Sequence, residues 1–356
     1  MISLYPWLAP TYHKITGAFD EALGHHALLL RADVGLGVAQ LCEALAQRLM
    51  CLTPNGDEAC GQCHSCHLMQ ANSHPDFQHI APIENKDIGI DQIRAMNEQA
   101  TQHAQQNGNK VIYIEQAHRL TEAAANAILK TLEEPRPNTY FILHCDIQTA
   151  LLPTIYSRCQ VWNLLPPETE VALQWLQSQV SAETLEMLFA SSPTRLLTPD
   201  GAIGDANVQN PLDFVTALRV NYGRPLLALA MLQQNQLEQR REFLRQFWVF
   251  YRRRSPLELF PFFAKEKDMA LQQLDWLLAF LSDALKAKLQ VKNGWICQDI
   301  ERGVIQFAQG LSAPALLQAG NIVQKVRSDL QTINAVNQEL ILLDGLTRLI
   351  TDVFEG

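Results

Sequence analysis

The strongest constraint on the fold is a three-part unit near the start of the chain. His26 to Leu30 is a short apolar run that breaks at Arg31-Ala-Asp-Val-Gly-Leu-Gly, and from Val38 to Met50 apolar residues recur at helical spacing. That order is strand, glycine loop, helix. The pattern then repeats: Phe77 to Ile80, Val111 to Ile114, Tyr140 to Leu143 and Gln160 to Asn163 read as strands, and Asp91 to His103 and Ala123 to Glu133 as helices. Strands that alternate with helices imply a parallel sheet covered by helices on both faces, so the expected class of the first half is α/β.

A glycine loop between a strand and a helix is where a P-loop protein holds phosphate. Its working form, Gly-x4-Gly-Lys-Ser/Thr, uses backbone N–H groups and the helix N-terminus for the phosphates, the lysine for the β/γ oxygens and the hydroxyl for Mg²⁺. The matching stretch here is Ala32 to Ala39. Gly35 and Gly37 remain, but Ala32 replaces the first glycine, Val38 the lysine and Ala39 the hydroxyl residue. Two lost charge-assisted contacts, each about 1.5–3 kcal/mol, weaken nucleotide binding by several orders of magnitude without forbidding it. From the loop alone, an ordinary turn is an equal alternative.

The helix that begins near Thr121 is more specific. Thr121 is an N-cap residue of the right kind, the first half is alanine-rich, and Pro135 stands where the helix must end. Through its sequence Ala-Asn-Ala-Ile-Leu-Lys-Thr-Leu-Glu-Glu-Pro, the strand end Val111-Ile-Tyr-Ile-Glu-Gln-Ala, and Ser157-Arg158-Cys159, the chain resembles the clamp-loader branch of the AAA+ ATPases. The motifs cover about the first half, and Ile333-Asn-Ala-Val-Asn337-Gln-Glu-Leu is similar to the last helices of that family.

The resemblance implies a RecA-like, P-loop NTPase-type AAA+ domain over 1–165, a small helical lid over 166–207 and an all-α collar over 208–356. The family's Asp-Glu pair after the second-motif strand is replaced by Glu115-Gln116, and a neutral amide cannot serve as a carboxylate base. With both ATP motifs damaged, no intrinsic ATPase activity is expected. In the family the arginine corresponding to Arg158 reaches into the adjacent subunit's ATP site. A finger supplied in trans places fixed positive charge on the γ-phosphate and is worth about 10³–10⁵ in rate. The competing view of Arg158 is an ordinary surface arginine in a salt bridge.

Four cysteines, Cys51, Cys60, Cys63 and Cys66, fall in a short insertion at 51–66 with Pro54, Asn55, Gly56 and Gly61 supplying turns. Two-residue gaps let adjacent thiolates converge on one ion, and four sulfurs match closed tetrahedral Zn²⁺, so the expected cofactor is structural zinc. An iron–sulfur run would need a downstream Cys-Pro element, which is missing. His64, His67, His74 and His79 lie close enough to replace a thiolate, and Cys42, Cys145, Cys159 and Cys297 are expected to pack as small buried residues.

After Pro166-Pro167 the pattern turns helical: Val171 to Val180 and Ala182 to Phe189 suggest the lid, and Arg195 stands where many relatives carry a second sensor arginine. From Pro211 onward, amphipathic stretches such as Leu274 to Leu289 and Ala313 to Leu330 suit subunit packing. Arg240, Arg241, Arg245 and Arg252-Arg-Arg254 form a basic patch suited to DNA or an acidic partner, although the interleaved Glu238, Glu242 and Glu258 favour a solvated helix face.

Bulk properties narrow the function. Lys plus Arg number 28 against 37 Asp plus Glu, a formal charge of -9, which opposes close approach to a phosphate backbone. Work on DNA is therefore expected to run through partners, and the resemblance implies which: gamma/tau-type ATPase subunits and a delta-like clamp-opening subunit in a hetero-oligomeric ring, with the sliding clamp and primed DNA reached through the complex. The start, Met-Ile-Ser-Leu-Tyr-Pro-Trp, has no basic n-region, and no apolar run approaches the ~20 residues of a membrane helix; a cytoplasmic replication component is expected. Two other readings stand beside this one. A divergent active NTPase is opposed by Val38 and Gln116. A zinc-dependent nucleic-acid module is opposed by the absence of Lys, Arg, Phe, Tyr and Trp between Cys51 and Cys66.

Overall fold

The computed structural model describes residues 4–83, 86–180, 211–332 and 337–355. Most of the segment expected to form the lid, including Ala182 to Phe189 and Arg195, lies outside the described residues, as does the start of the Ile333 to Leu340 motif. The chain divides into two compact units, 1–171 and 172–356.

The first unit is built on five parallel strands: β1 (Ala27–Ala32), β2 (Phe77–Ile80), β3 (Lys110–Ile114), β4 (Thr139–Cys145) and β5 (Gln160–Leu164), in the order β2-β3-β4-β1-β5. The central strands β1, β3 and β4 are buried on both faces, which explains why they read as apolar runs rather than alternating ones. Leu28, Leu30, Val111 and Tyr113 pack against α1 (Ala9–Asp20) and α2 (Val38–Met50) through Leu8, Tyr12, Leu41 and Leu45. Their neighbours Ala27, Leu29, Ile112 and Ile114 face the other way, onto α4 (Ile90–Ala100) and α5 (Glu122–Glu133), where Ile93, Met96, Ile128 and Leu132 complete the second core. The period-2 alternation of Cβ directions thus serves two separate cores.

Local signals set several boundaries. Thr121 Oγ1 accepts from Ala124 N at 3.2 Å, and α5 ends at Glu133, two residues before Pro135. The helix that precedes Arg158 is a single turn: α6 spans Pro153–Tyr156. Pro153 disfavours helical geometry in the residue before it, so the helix starts at the proline. Two helices of this unit, α1 and the short α3 (His64–Gln70) inside the cysteine segment, were not expected.

The second unit is helical among the described residues. Its core collects Phe243, Phe247 and Phe250 from helix Gln236–Arg253, Trp276 and Phe280 from Lys267–Lys288, Phe307 and Phe354. The Phe247 ring centre lies 5.7 Å from Phe280 and 5.5 Å from Phe307. The basic patch is a solvated face only in part. Arg245 pairs with Glu242 at 2.9 Å and Arg253 with Glu258 at 2.9 Å on the surface, but Arg240 is fully buried and salt-bridged to Asp299 at 2.9 Å. A buried guanidinium needs a carboxylate beside it, and the one it finds is 59 positions away in sequence.

Candidate functional site

The glycine loop leaves the carboxyl end of β1, and Glu115-Gln116 leaves the carboxyl end of β3, with β4 between them. This is the edge where α/β sheets bind ligands. Gly35 and Gly37 take positive φ, 95° and 76°, and Gly37 caps α2. The turn geometry of a phosphate loop is therefore present.

Its chemistry is not. Val38, at the lysine position, is 4% exposed and packs with Leu8, Tyr12 and Leu41 in the apolar core. Leu36 at the loop's centre is fully buried, and its carbonyl accepts from the Trp7 indole at 2.9 Å. The backbone N–H of Tyr5 donates to Gln40 Oε1 at 3.1 Å. Ala39 supplies no hydroxyl, and Ala32 is buried beneath the loop. Asp33, which the sequence reading passed over, puts a carboxylate into the loop, where Gln148 Nε2 donates to it at 3.1 Å. An anion there opposes phosphate. The P-loop pattern leaves its x positions unspecified, so an added carboxylate there carries no motif signal.

At the second motif, Glu115 Oε2 lies 3.0 Å from His79 Nε2, and the His79 ring stacks on Tyr113. Gln116 turns away in the left-handed region at φ 52° and opens a single 3-10 turn. The pair thus offers one carboxylate engaged by a neighbouring strand and one neutral amide.

Arg158 sits between α6 and β5. Its Nη2 and Nε donate to Glu133 Oε2 at 2.9 and 3.3 Å, and Nη1 donates to the Thr154 carbonyl at 3.0 Å and to Ser157 Oγ at 3.3 Å. The side chain is about a quarter exposed.

The four cysteines converge. All four Sγ atoms lie within 4.8 Å of one another; Cys51 to Cys63 and Cys60 to Cys66 are each 3.9 Å. Tetrahedral zinc with Zn–S near 2.3 Å separates its sulfurs by about 3.8 Å, so the donor set fits a closed site. Backbone N–H groups aim at the sulfurs, Cys60 N at Cys51, Cys63 N at Cys60 and Cys66 N at Cys63. The Thr53 hydroxyl, with the Gln62 and Cys63 amides, lowers the Cys60 thiol to about 5, favouring the thiolate a metal requires. Burial pushes Cys66 the other way, to about 12. No histidine joins the cluster among the described residues: His74 Nε2 lies 2.9 Å from Ser65 Oγ, and its Nδ1 accepts from Asp76 N. Of the remaining cysteines, Cys42, Cys145 and Cys297 are buried and Cys159 is half-buried.

The cage is tied to the sheet unit on both flanks. Arg48 of α2 donates to the Gly56 carbonyl at 3.0 Å, Tyr12 of α1 donates to the Asp57 carbonyl at 2.6 Å, and Ser65 donates to the Met50 carbonyl.

A five-stranded parallel sheet in this order, a glycine loop after its first strand and an acidic end on β3 define an AAA+-type nucleotide-binding domain, here with its ATP motifs altered. The family described as DNA polymerase III, delta subunit, matches residues 10–168, and the C-terminal family of the same description matches 234–351. The chain is 58% identical over 355 residues to DNA polymerase III subunit delta' of Haemophilus influenzae, covering 100% of this chain and 99% of that one. The same subunit of Escherichia coli is 35% identical over 97% of this chain and 95% of its own length. A gamma subunit-related structure from Thermotoga maritima overlays at 15% identity with a TM-score of 0.42, covering 97% and 99% of the two chains, too distant to bear on function. The chain belongs to the DNA polymerase III delta-prime family.

Proposed function

We propose that this chain acts in the polymerase III clamp loader as the subunit that does not hydrolyse ATP but completes a neighbour's ATP site with Arg158. The observation that carries the reading is the contrast within one domain: the lysine position is a core valine, whereas Arg158 stands at the edge of the sheet with its charge intact. A buried Val38 cannot be exchanged for a phosphate contact by a side-chain movement. Asp33 adds a negative charge to the same loop, which disfavours an anionic ligand.

The cysteine cage holds Zn²⁺ in this proposal, with Cys51, Cys60, Cys63 and Cys66 as ligands and no open position for catalysis. In this proposal 1–165 is the AAA+ domain and the helices described beyond Pro211 serve the collar; most of 166–207, assigned to the lid, lies outside the described residues. Gamma/tau-type subunits and a delta subunit are the partners in the ring; the sliding clamp and primed DNA are reached through it, in the cytoplasm. Among the described residues no helix is long and apolar enough to cross a membrane.

Two assays test the proposal. The isolated chain is expected to hydrolyse no ATP and to bind it far more weakly than a gamma-type subunit, read by fluorescent-nucleotide titration. The assembled loader is expected to lose DNA-stimulated turnover when Arg158 is replaced. Turnover by the isolated chain would instead make it a divergent NTPase.

A further inference from the structure

We propose that Glu133 is the positioning residue for Arg158, fixing the guanidinium plane before a neighbour's nucleotide arrives; the inference rests on the trans-acting role given to Arg158 above. Glu133 is the last residue of α5, and Arg158 follows α6, so the pair ties together two elements that local sequence does not join. Glu133 Oε2 takes both Nη2 and Nε, while the Thr154 carbonyl and Ser157 Oγ take Nη1. These contacts engage all three guanidinium nitrogens, two acceptors on Nη1 and one each on Nη2 and Nε, so among the described residues Nη2 keeps an N–H beyond its bond to Glu133. The planar group is thus held from two sides, with that N–H left for an incoming anion.

The placement of Glu133 argues for a function beyond a surface ion pair. A carboxylate at the C-terminal end of a helix faces the negative end of the helix dipole, where a cation is the favoured residue. Glu133 is itself 59% exposed, against 26% for the arginine. Holding the arginine is what offsets its own unfavourable position. An arginine free to rotate loses rotamer entropy when it meets the phosphate, whereas one already fixed loses little, and a donor oriented in advance acts without reorganisation in the transition state.

The test uses the reconstituted loader with primed DNA and clamp, each variant first shown to assemble by gel filtration. Glu133→Ala is expected to lower kcat for ATP hydrolysis by about tenfold with little change in KM, because orientation rather than binding is lost. Glu133→Gln, which keeps an acceptor oxygen without the charge, is expected to fall between Glu133→Ala and wild type. In the Arg158→Ala background, adding Glu133→Ala is expected to change nothing further, since a positioning residue has nothing left to position. Wild-type kcat in Glu133→Ala, or a further loss in the double variant, would overturn the proposal. A faster Glu133→Ala would overturn it too, making Glu133 a residue that sequesters the arginine. An unaffected Arg158→Ala would remove the finger itself, a result distinct from one in which Arg158→Ala is impaired and Glu133→Ala is not.

Discussion

The two ends of helix α2 carry different candidate sites, and they differ in what survives. At its N-terminus the phosphate loop retains the positive-φ turns at Gly35 and Gly37 while Val38 is drawn into the core. At its C-terminus Cys51 caps the helix and begins a complete four-sulfur donor set. The backbone is equally well formed at both ends. A turn alone therefore does not make a binding site, and the side chains at defined positions decide which ligand the helix end can hold. The cage offers a complete donor set for a metal ion, whereas the loop is left with shape, helix dipole and the charge of Asp33.

The largest effect that sharpens this comparison is at the cage. Chelation, or Cys66→Ser, is expected to release about one zinc per chain and unfold 51–70, since structural zinc couples about 10 kcal/mol or more to folding. Metal analysis and hydrogen exchange over that segment check it, and the five strands should stay protected because their cores do not include the sulfurs of Cys60, Cys63 or Cys66.

The next attempts to break the comparison by restoring the loop. Val38→Lys with Ala39→Thr is expected to leave ATP binding weak and to cost about 3–5 kcal/mol in urea unfolding, because the new ammonium begins in an apolar core without a partner. Tight ATP binding by this variant would mean that the loop lacked only its side chains.

Smaller effects follow. Trp7→Phe removes the indole donor to the Leu36 carbonyl and is expected to cost about 1 kcal/mol, read by the same unfolding measurement. Burial lowers the pKa of His74, His118 and His144 from the ordinary 6.5, favouring the neutral form in the folded chain. Their contribution to stability is full above 6.5 and is lost as pH falls through the folded values, because the unfolded chain then binds more protons. Unfolding midpoints at pH 7.5 and 5.5, with zinc content monitored, give the sign.

What the sequence revealed and what it hid divide along the same physical line. The span of α2, the strands as apolar runs, the Thr121 cap and the stop before Pro135 all depend on neighbours a few residues apart, and they could be read directly. So could the convergence of the cysteines, because Cys60-x2-Cys63-x2-Cys66 encodes proximity locally. The short helix α3 was obscured by the turn residues around it, although Cys63 accepting from Cys66 N is an N-cap at helical spacing. Contacts across long separations left no local mark. Arg240 read as part of a solvated charged face because Asp299 is distant in sequence, and Glu133 gave no sign of Arg158, 25 positions on. Trp7 over the loop belongs to the same group.

The central claim is that this domain has lost its own ATP chemistry while keeping the arginine that serves another. The most direct measurement is DNA-stimulated ATP hydrolysis by reconstituted loaders differing only in Arg158→Ala, with subunit content verified and the isolated chain as control. The expected result is an intact assembly whose turnover at the adjoining site falls by about 10³-fold, beside an inactive isolated chain. Unchanged turnover in the variant would contradict the account and leave Arg158 as a surface arginine paired to Glu133.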